Sequence, residues 1–417
     1  MKAIGRALLV SCSLPYPPEL QTHGVFQRLN LFLEAVSSSV QRVDMLFLSP
    51  PAMASGEVAA RVRTALAAKL AAEIGVTIAA VKELPARSFV RELSAGMLSV
   101  RGQSDYAPYC QAEPMAALKE ALSAKPDLVF VHRLGAMIPL LQVRENLPPI
   151  CFDLDDIEHR AYFRSIRTSS GWLLRKLLFV HVPALALAEI EAVRRASHTF
   201  VCSETDRRYL QRLVGRRARL TVVPNTVNLP QPTAGDHRSL AVLFVGAFSY
   251  QPNIRAADEL TEVVWPLIKR QVPAAELFIA GKNPEKIAAA RRPGKDVHVL
   301  GYVPSLDDLY KRAAVVCCPI RSGSGTRIKI IEASAYGVPV VSTPIGAEGL
   351  AYEDGREILL RDTPAALAEA CVRLLQDASL RSAVGRAARA RTAALYDRSG
   401  VIEKVKGLMA GAMGAAR

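Results

Sequence analysis

The segment PIRSGSGTRIKIIEASAYGVPVVSTPIGAEGL, residues 319–350, reads as a strand end, a glycine-bearing loop, a helix and a second strand. That is the repeating connection of a parallel α/β sheet. The apolar run AVVCCP at 314–319 stops at Pro319, the loop SGSGT follows, and a helix is expected from near Thr326. Gly337 closes the helix and Pro339 opens the next strand, PVVST at 339–343. Gly323 and Gly325 let backbone amides approach a ligand closely. The amino end of the helix adds free N–H groups and a partial positive charge, which favour phosphate. Arg327 and Lys329 put two cations at this mouth. Glu332 follows two turns into the helix, where a carboxylate can accept two hydrogen bonds from a ribose diol. A glycine-rich loop alone is a weak signal. Here it coincides with two cations, an acid on the same helix, the strand GVPVV and a second turn, GAEG.

The same alternation runs outward in both directions. Strands are expected at 6–12, 43–49, 76–81, 127–131, 149–153, 198–202 and 220–224, and again at 240–246, 275–281, 297–303, 314–319, 339–343 and 357–360, with amphipathic stretches such as 25–40 and 56–73 between them. This βαβα rhythm predicts parallel sheets covered by helices on both faces. The polar, proline-bearing stretch VNLPQPTAGDHRS at 227–239 reads as a linker. The expected organisation is a Rossmann-like domain at 1–226, the linker at 227–239, a second Rossmann-like domain at 240–395, and a terminal helix and tail at 396–417 that crosses back to the first domain. The two doubly wound domains are expected to face an interdomain cleft, with ligands beyond the carboxyl ends of the strands.

The 417 residues carry a formal net charge of +14 with a sequence pI near 9.6, which points to an anionic partner. Nucleic acid is not the expected one, since the basic residues are spread without interleaved aromatics. The seven cysteines (Cys12, Cys110, Cys151, Cys202, Cys317, Cys318 and Cys371) lie mostly in apolar runs with no CxxC spacing, as expected of reduced thiols. The first apolar run is short and soon meets Pro15, Pro17 and Pro18, so it reads as a buried strand rather than a leader. No segment reaches the roughly 18 uncharged apolar residues of a membrane span. A cytoplasmic protein, peripheral on the inner face of a membrane, is the expectation.

GSGTRIKIIEASAYGVPVVST resembles the donor-site signature of family-4 glycosyltransferases of the GT-B fold. VLFVGAFSYQPNIRAADEL at 242–260 resembles the first strand, loop and helix of that family's C-terminal domain. GYVPSLDDLYKRAAVVCCP at 301–319 resembles the segment before the donor motif, and VVPNTVN at 222–228 the domain-linking motif. The resemblance covers roughly 220–395. It implies that Glu332 binds ribose, that Gly323, Ser324, Gly325 and Thr326 form the loop over the diphosphate, and that Gly246 lies against the phosphates. Two departures stand out. Ser324 occupies the position of a first glutamate, and the loop GAFSYQPNIR lacks the family's Arg and Lys, leaving Arg255 as the nearby cation. Thr-Arg-x-Lys after the glycines looks like a variant branch. Arg327 and Lys329 are then expected to meet the leaving-group charge, with Arg327 in the larger role.

In the first half, LPYPPELQTHGVFQRL at 14–29 places His23 and Gly24 before a helix, similar to the family's loop that reaches sugar and acceptor. DLVFVHRLGAM at 127–137 puts His132 and Arg133 at a strand's carboxyl end, where His132 is a candidate contact of the transferred sugar. CFDLDDIEHR at 151–160 offers Asp153 and Glu158 as acceptor-side anchors. Its DxD, a metal motif in glycosyltransferases of another fold, is not expected to hold metal here. The basic, apolar stretch 164–179, with Arg164, Arg167, Trp172, Leu173, Leu174, Arg175 and Lys176, suits an anionic membrane surface. Together these features predict metal-independent, retaining transfer from a nucleoside diphosphate sugar to a sugar or lipid-linked acceptor hydroxyl, in cell-surface polysaccharide or glycolipid synthesis, without a cofactor. The rivals are a non-catalytic nucleotide-sugar-binding protein and another two-Rossmann sugar enzyme such as an epimerase.

Overall fold

Seven parallel strands form the first sheet: β1 (Ile4–Ser11), β2 (Val40–Ser49), β3 (Glu73–Ala80), β4 (Leu128–His132), β5 (Ile150–Asp155), β6 (His198–Val201) and β7 (Leu220–Val222), in the order β3-β2-β1-β4-β5-β6-β7. Six more form a second: β8 (Ala241–Val245), β9 (Glu276–Ala280), β10 (Val297–Gly301), β11 (Ala313–Cys318), β12 (Val340–Ser342) and β13 (Leu359–Leu360), in the order β10-β9-β8-β11-β12-β13. The structure, a computed structural model, describes residues 4–15, 24–83, 89–168, 176–231, 239–292, 294–323 and 325–414. It divides into two units, Met1–Asn225 with Ser399–Arg417, and Thr226–Arg398.

The strands are apolar on both faces because both are covered. Successive residues of β1 enter opposite cores: Leu8 and Val10 pack with Val129, Val131 and Phe152, while Ala7 and Leu9 pack with Phe32, Phe47, Phe130 and Phe200. The helix Arg398–Gly414 adds Val401, Val405 and Met409 to the second of these cores. Their four-residue spacing puts all three on one face, which is why the chain's end belongs with the first unit.

Each sheet reverses strand order once, between β1 and β4 and between β8 and β11. Ligands of such sheets bind beyond the carboxyl ends of the strands at that reversal. His132 ends β4, Gly246 follows β8, and the glycine loop follows β11.

Several element ends differ from the sequence reading. Helices expected at 25–40 and 56–73 end at Ser37 and Ala67, because β2 and β3 begin earlier than the apolar pattern shows. Arg42 pairs with both Asp44 and Glu73 at that end of the sheet, so its strands begin in polar residues and not in an apolar run. The helix expected from Thr326 starts at Ile328, since Arg327 stays extended at φ −88° and ψ 97°. Residues 227–231 are not free linker. Val227 bridges Asp397, with its N–H donating to Tyr396 O at 3.0 Å. Residues 232–238 lie outside the described residues.

Candidate functional site

The second unit's site is built on the β11 exit. Thr343 Oγ1 donates to Ile320 O and accepts the Gly346 N–H at 2.8 Å, while Ser342 Oγ donates to Cys318 O at 3.1 Å. Arg321 forks onto Glu259 at 2.7–3.0 Å and reaches Asp362 at 3.1 Å. The GAEG turn thus fixes the place where the glycine loop leaves the sheet. Gly323 and Gly325 have φ of +100° and +72°, and a Cβ on Gly323 would run into the Tyr250 hydroxyl. Thr326 is half-buried beside them, and Ser324 lies outside the described residues.

The two cations separate. Arg327 is buried, and its guanidinium turns back on the loop, donating to Gly325 O and, at 3.2 Å, to Ser322 O. It shapes the loop, in contrast with the larger phosphate-facing role expected for it. Lys329 instead extends to the β8 exit, where its Nζ donates to Asn253 Oδ1 at 2.8 Å and sits 4.6 Å from the Phe244 ring centroid. Asn253 Nδ2 donates to Ala247 O at 2.9 Å, and glycine at 246 makes room, since a Cβ there would lie 2.9 Å from Asn253 Cγ. Burial lowers the Lys329 pKa to about 8, with Arg327 adding to the shift and Glu332 opposing it. Arg255 is exposed on the helix Gln251–Glu259. With Asn253 facing Gly246, Lys329 brings a cation to this loop. Glu332 is half-buried, and its Oε2 accepts from the Tyr310 hydroxyl at 3.0 Å. Tyr310 stacks on Tyr336 with centroids 5.1 Å apart.

In the first unit, β4 and β5 pair His132 with Asp153. His132 Nδ1 lies 3.0 Å from Asp153 Oδ2. Arg28, from the helix Gly24–Ser37, forks onto Asp153 with contacts of 2.5, 2.9 and 3.1 Å. All three side chains are 0% exposed. Arg28 Nη1 also donates to Val223 O at 2.8 Å and Asn225 Oδ1 at 3.4 Å. Burial pushes the Asp153 carboxyl up, but Arg28 and the His132 hydrogen bond outweigh it and hold its pKa below the usual value. Both oxygens are occupied, so Asp153 is an internal brace and not the acceptor anchor expected for it.

Glu158 opens the helix Glu158–Thr168. It accepts from the Tyr106 hydroxyl, and its own N–H donates to Glu189 Oε1 at 2.6 Å. Burial raises the Glu158 pKa, against the charge of Arg133 and the Tyr106 hydrogen bond. Arg133 and Asp155, at adjacent strand ends, have φ of +71° and +58°. Such strain in side-chain-bearing residues tends to collect at functional sites. Gly24 begins its helix, and His23 lies outside the described residues. Around the basic stretch, Phe163, Arg167 and Leu177 are exposed and Phe163 lies 5.1 Å from Phe179 between ring centroids; residues 169–175 are outside the described ones. Among the described residues no helix is long and apolar enough to cross a membrane.

Arg28, Tyr250, Asn253 and Tyr310 were not singled out from sequence. Arg28 had a signal: it shares its helix face with Phe32 and Ala35, both fully buried. Tyr250 and Asn253 stand inside the loop noted for its missing cations.

Two family models match the chain one after the other, a glycosyl transferase 4-like domain at residues 34–226 and a group 1 glycosyl transferase domain at 239–377. Phosphatidyl-myo-inositol mannosyltransferase of Mycobacterium leprae is 26% identical over 58% of this chain and 67% of its own. D-inositol 3-phosphate glycosyltransferase of Kribbella flavida is 28% identical over 49% of this chain, and the match spans about half of that protein, 54%. Among solved structures, sucrose-phosphate synthase from Thermosynechococcus elongatus superposes with a TM-score of 0.69 at 19% identity, covering 99% of this chain and 100% of that one. Anabaena HepE in complex with UDP and glucose gives 0.63 at 15% identity, covering 98% and 100%. With its two Rossmann-like sheets, the chain is a glycosyltransferase of the GT-B type.

Proposed function

We propose that the chain transfers a glycosyl group from a nucleoside diphosphate sugar to an acceptor hydroxyl, with retention at the anomeric carbon and without a divalent cation. The observation that carries this reading is the convergence at the β8–β11 reversal. The amino end of the helix Ile328–Ala335, two left-handed glycines and the Lys329 ammonium meet beside Gly246. Each is suited to a diphosphate. As the bond from the anomeric carbon to the leaving oxygen breaks, negative charge grows on the β-phosphate. Fixed amides and Lys329 meet that charge without reorganising. Glu332, steadied by Tyr310, takes the ribose hydroxyls, and His132 offers a ring nitrogen to a substrate hydroxyl.

The acceptor is proposed to be a sugar or lipid-linked hydroxyl at a membrane's cytoplasmic face, in cell-surface polysaccharide or glycolipid synthesis, with Glu158 on the acceptor side. The phosphatidyl-myo-inositol named for the mycobacterial relative and the exposed Phe163, Arg167 and Leu177 support this choice. A panel of UDP, GDP and ADP sugars in thermal denaturation tests the donor site, since a ligand of the folded state raises the midpoint. One nucleotide class should raise it, and Glu332→Ala should weaken that shift with the fold intact. An undiminished shift in Glu332→Ala removes the ribose assignment.

A further inference from the structure

We infer that Arg28 is a positioning residue: acting through Asp153, it fixes His132 as the Nδ1–H tautomer and leaves Nε2 as a buried hydrogen-bond acceptor for a substrate hydroxyl. The last clause rests on the proposed transfer activity; the tautomer does not. Arg28 faces Asp153 and, at 3.5 Å, Asp155, and Arg133 Nε lies 3.6 Å from Asp155. Within the fully buried trio the single guanidinium of Arg28 and the single carboxylate of Asp153 therefore balance with His132 neutral. The Cys202 thiol, which donates to Asp155 Oδ1 at 3.3 Å, stays protonated because burial pushes its pKa well up. An imidazolium would put a second cation against the one Asp153 carboxylate, whose charge Arg28 already matches, where all three side chains are buried.

Hydrogen bonding then selects the tautomer. An ionised carboxylate only accepts, so across the 3.0 Å contact Nδ1 must donate to Asp153. In a neutral ring the other nitrogen then carries the lone pair. Among the described residues Nε2 has no hydrogen-bond partner, although it is buried. A nitrogen kept dry and unmatched in this way is either a cost to the fold or a group reserved for a ligand. Its place at the β1–β4 reversal favours the ligand.

Arg28 is what distinguishes this arrangement from an ordinary Asp–His pair. Without the guanidinium, buried Asp153 has two ways out. It takes a proton and donates to Nδ1, or it cedes its charge balance to an imidazolium. Both routes put a proton on Nε2 and turn the acceptor into a donor. Arg28→Lys keeps the cation but gives up the fork and the bonds to Val223 and Asn225, so it should lower stability and keep the tautomer.

The test is 15N NMR of the full chain labelled at histidine, at pH 7.5, with His132→Gln identifying the resonances. Wild type and Arg28→Lys should show a protonated Nδ1 and a bare Nε2, and Arg28→Met a protonated Nε2. In the transfer assay, kcat/KM should fall about tenfold or more in Arg28→Met and recover in Arg28→Lys. A protonated Nε2 in wild type overturns the inference. An Arg28→Met protein with wild-type tautomer does so too. If Arg28→Met does not fold, the wild-type spectrum and Arg28→Lys still decide. A bare Nε2 in a protein that transfers no sugar would leave the positioning role standing and remove the proposed function.

Discussion

Lys329 and Arg327 sit two positions apart in sequence and do different work. Arg327 spends its donors on loop carbonyls, while Lys329 places its ammonium beside Gly246. With its pKa brought down to about 8, Lys329 is charged below that pH and loses its charge above it. If the ammonium meets the phosphate, kcat/KM for the donor falls as pH rises through about 8. Lys329→Met should remove this limb and cost about 100-fold in turnover, whereas Arg327→Ala should act first on loop stability. A pH profile with the same limb in Lys329→Met would contradict the assignment. At this scale the glycines were legible, because left-handed backbone demands them. The partners were not. Asn253, Tyr310 and Arg28 reach Lys329, Glu332 and Asp153 across many intervening residues, and no local spacing reports a contact of that kind.

At the scale of elements, strand cores were legible because β4, β5, β8 and β11 are buried on both faces and their sequences show it. Ends were less so. β2 and β3 begin in charged residues that neutralise one another, and the donor-side helix begins late because Arg327 stays extended to bond its own loop. The helix Glu158–Thr168 carries a prediction of its own. It bears Arg160, Arg164 and Arg167 with Phe163, and Arg167 lies over the Phe163 ring at 5.8 Å. Binding to anionic vesicles should be measurable by sedimentation. It should weaken as salt rises from roughly 0.05 to 0.5 M, since the screening length is already only about 10 Å at 0.1 M. Equal sedimentation with neutral and anionic vesicles would remove membrane docking from the account.

For the whole molecule, the alternation of apolar runs and amphipathic stretches carried two parallel sheets without any need of their order. The order itself follows from the rule that parallel crossovers are right-handed and strands wind outward from a central pair. The terminal helix has a measurable part in this. Removing residues 399–417 strips Val401, Val405 and Met409 from the first unit's core. Each buried side chain of this size is worth about 1.5–3 kcal/mol. Loss of the segment should therefore lower the denaturation midpoint markedly, and an unchanged midpoint would show that the helix is not part of that core. Glycosyl transfer itself can be measured on the whole chain. The direct measurement incubates the full chain with UDP, GDP and ADP sugars and hydroxyl acceptors, sugar and lipid-linked, in excess EDTA, and follows the anomeric configuration of the product by NMR. The product should keep the donor's configuration and form without metal and only when an acceptor is present. Nucleotide released with no acceptor present, an inverted product, or turnover lost in EDTA and restored by Mn²⁺ or Mg²⁺ would contradict retaining, metal-independent transfer.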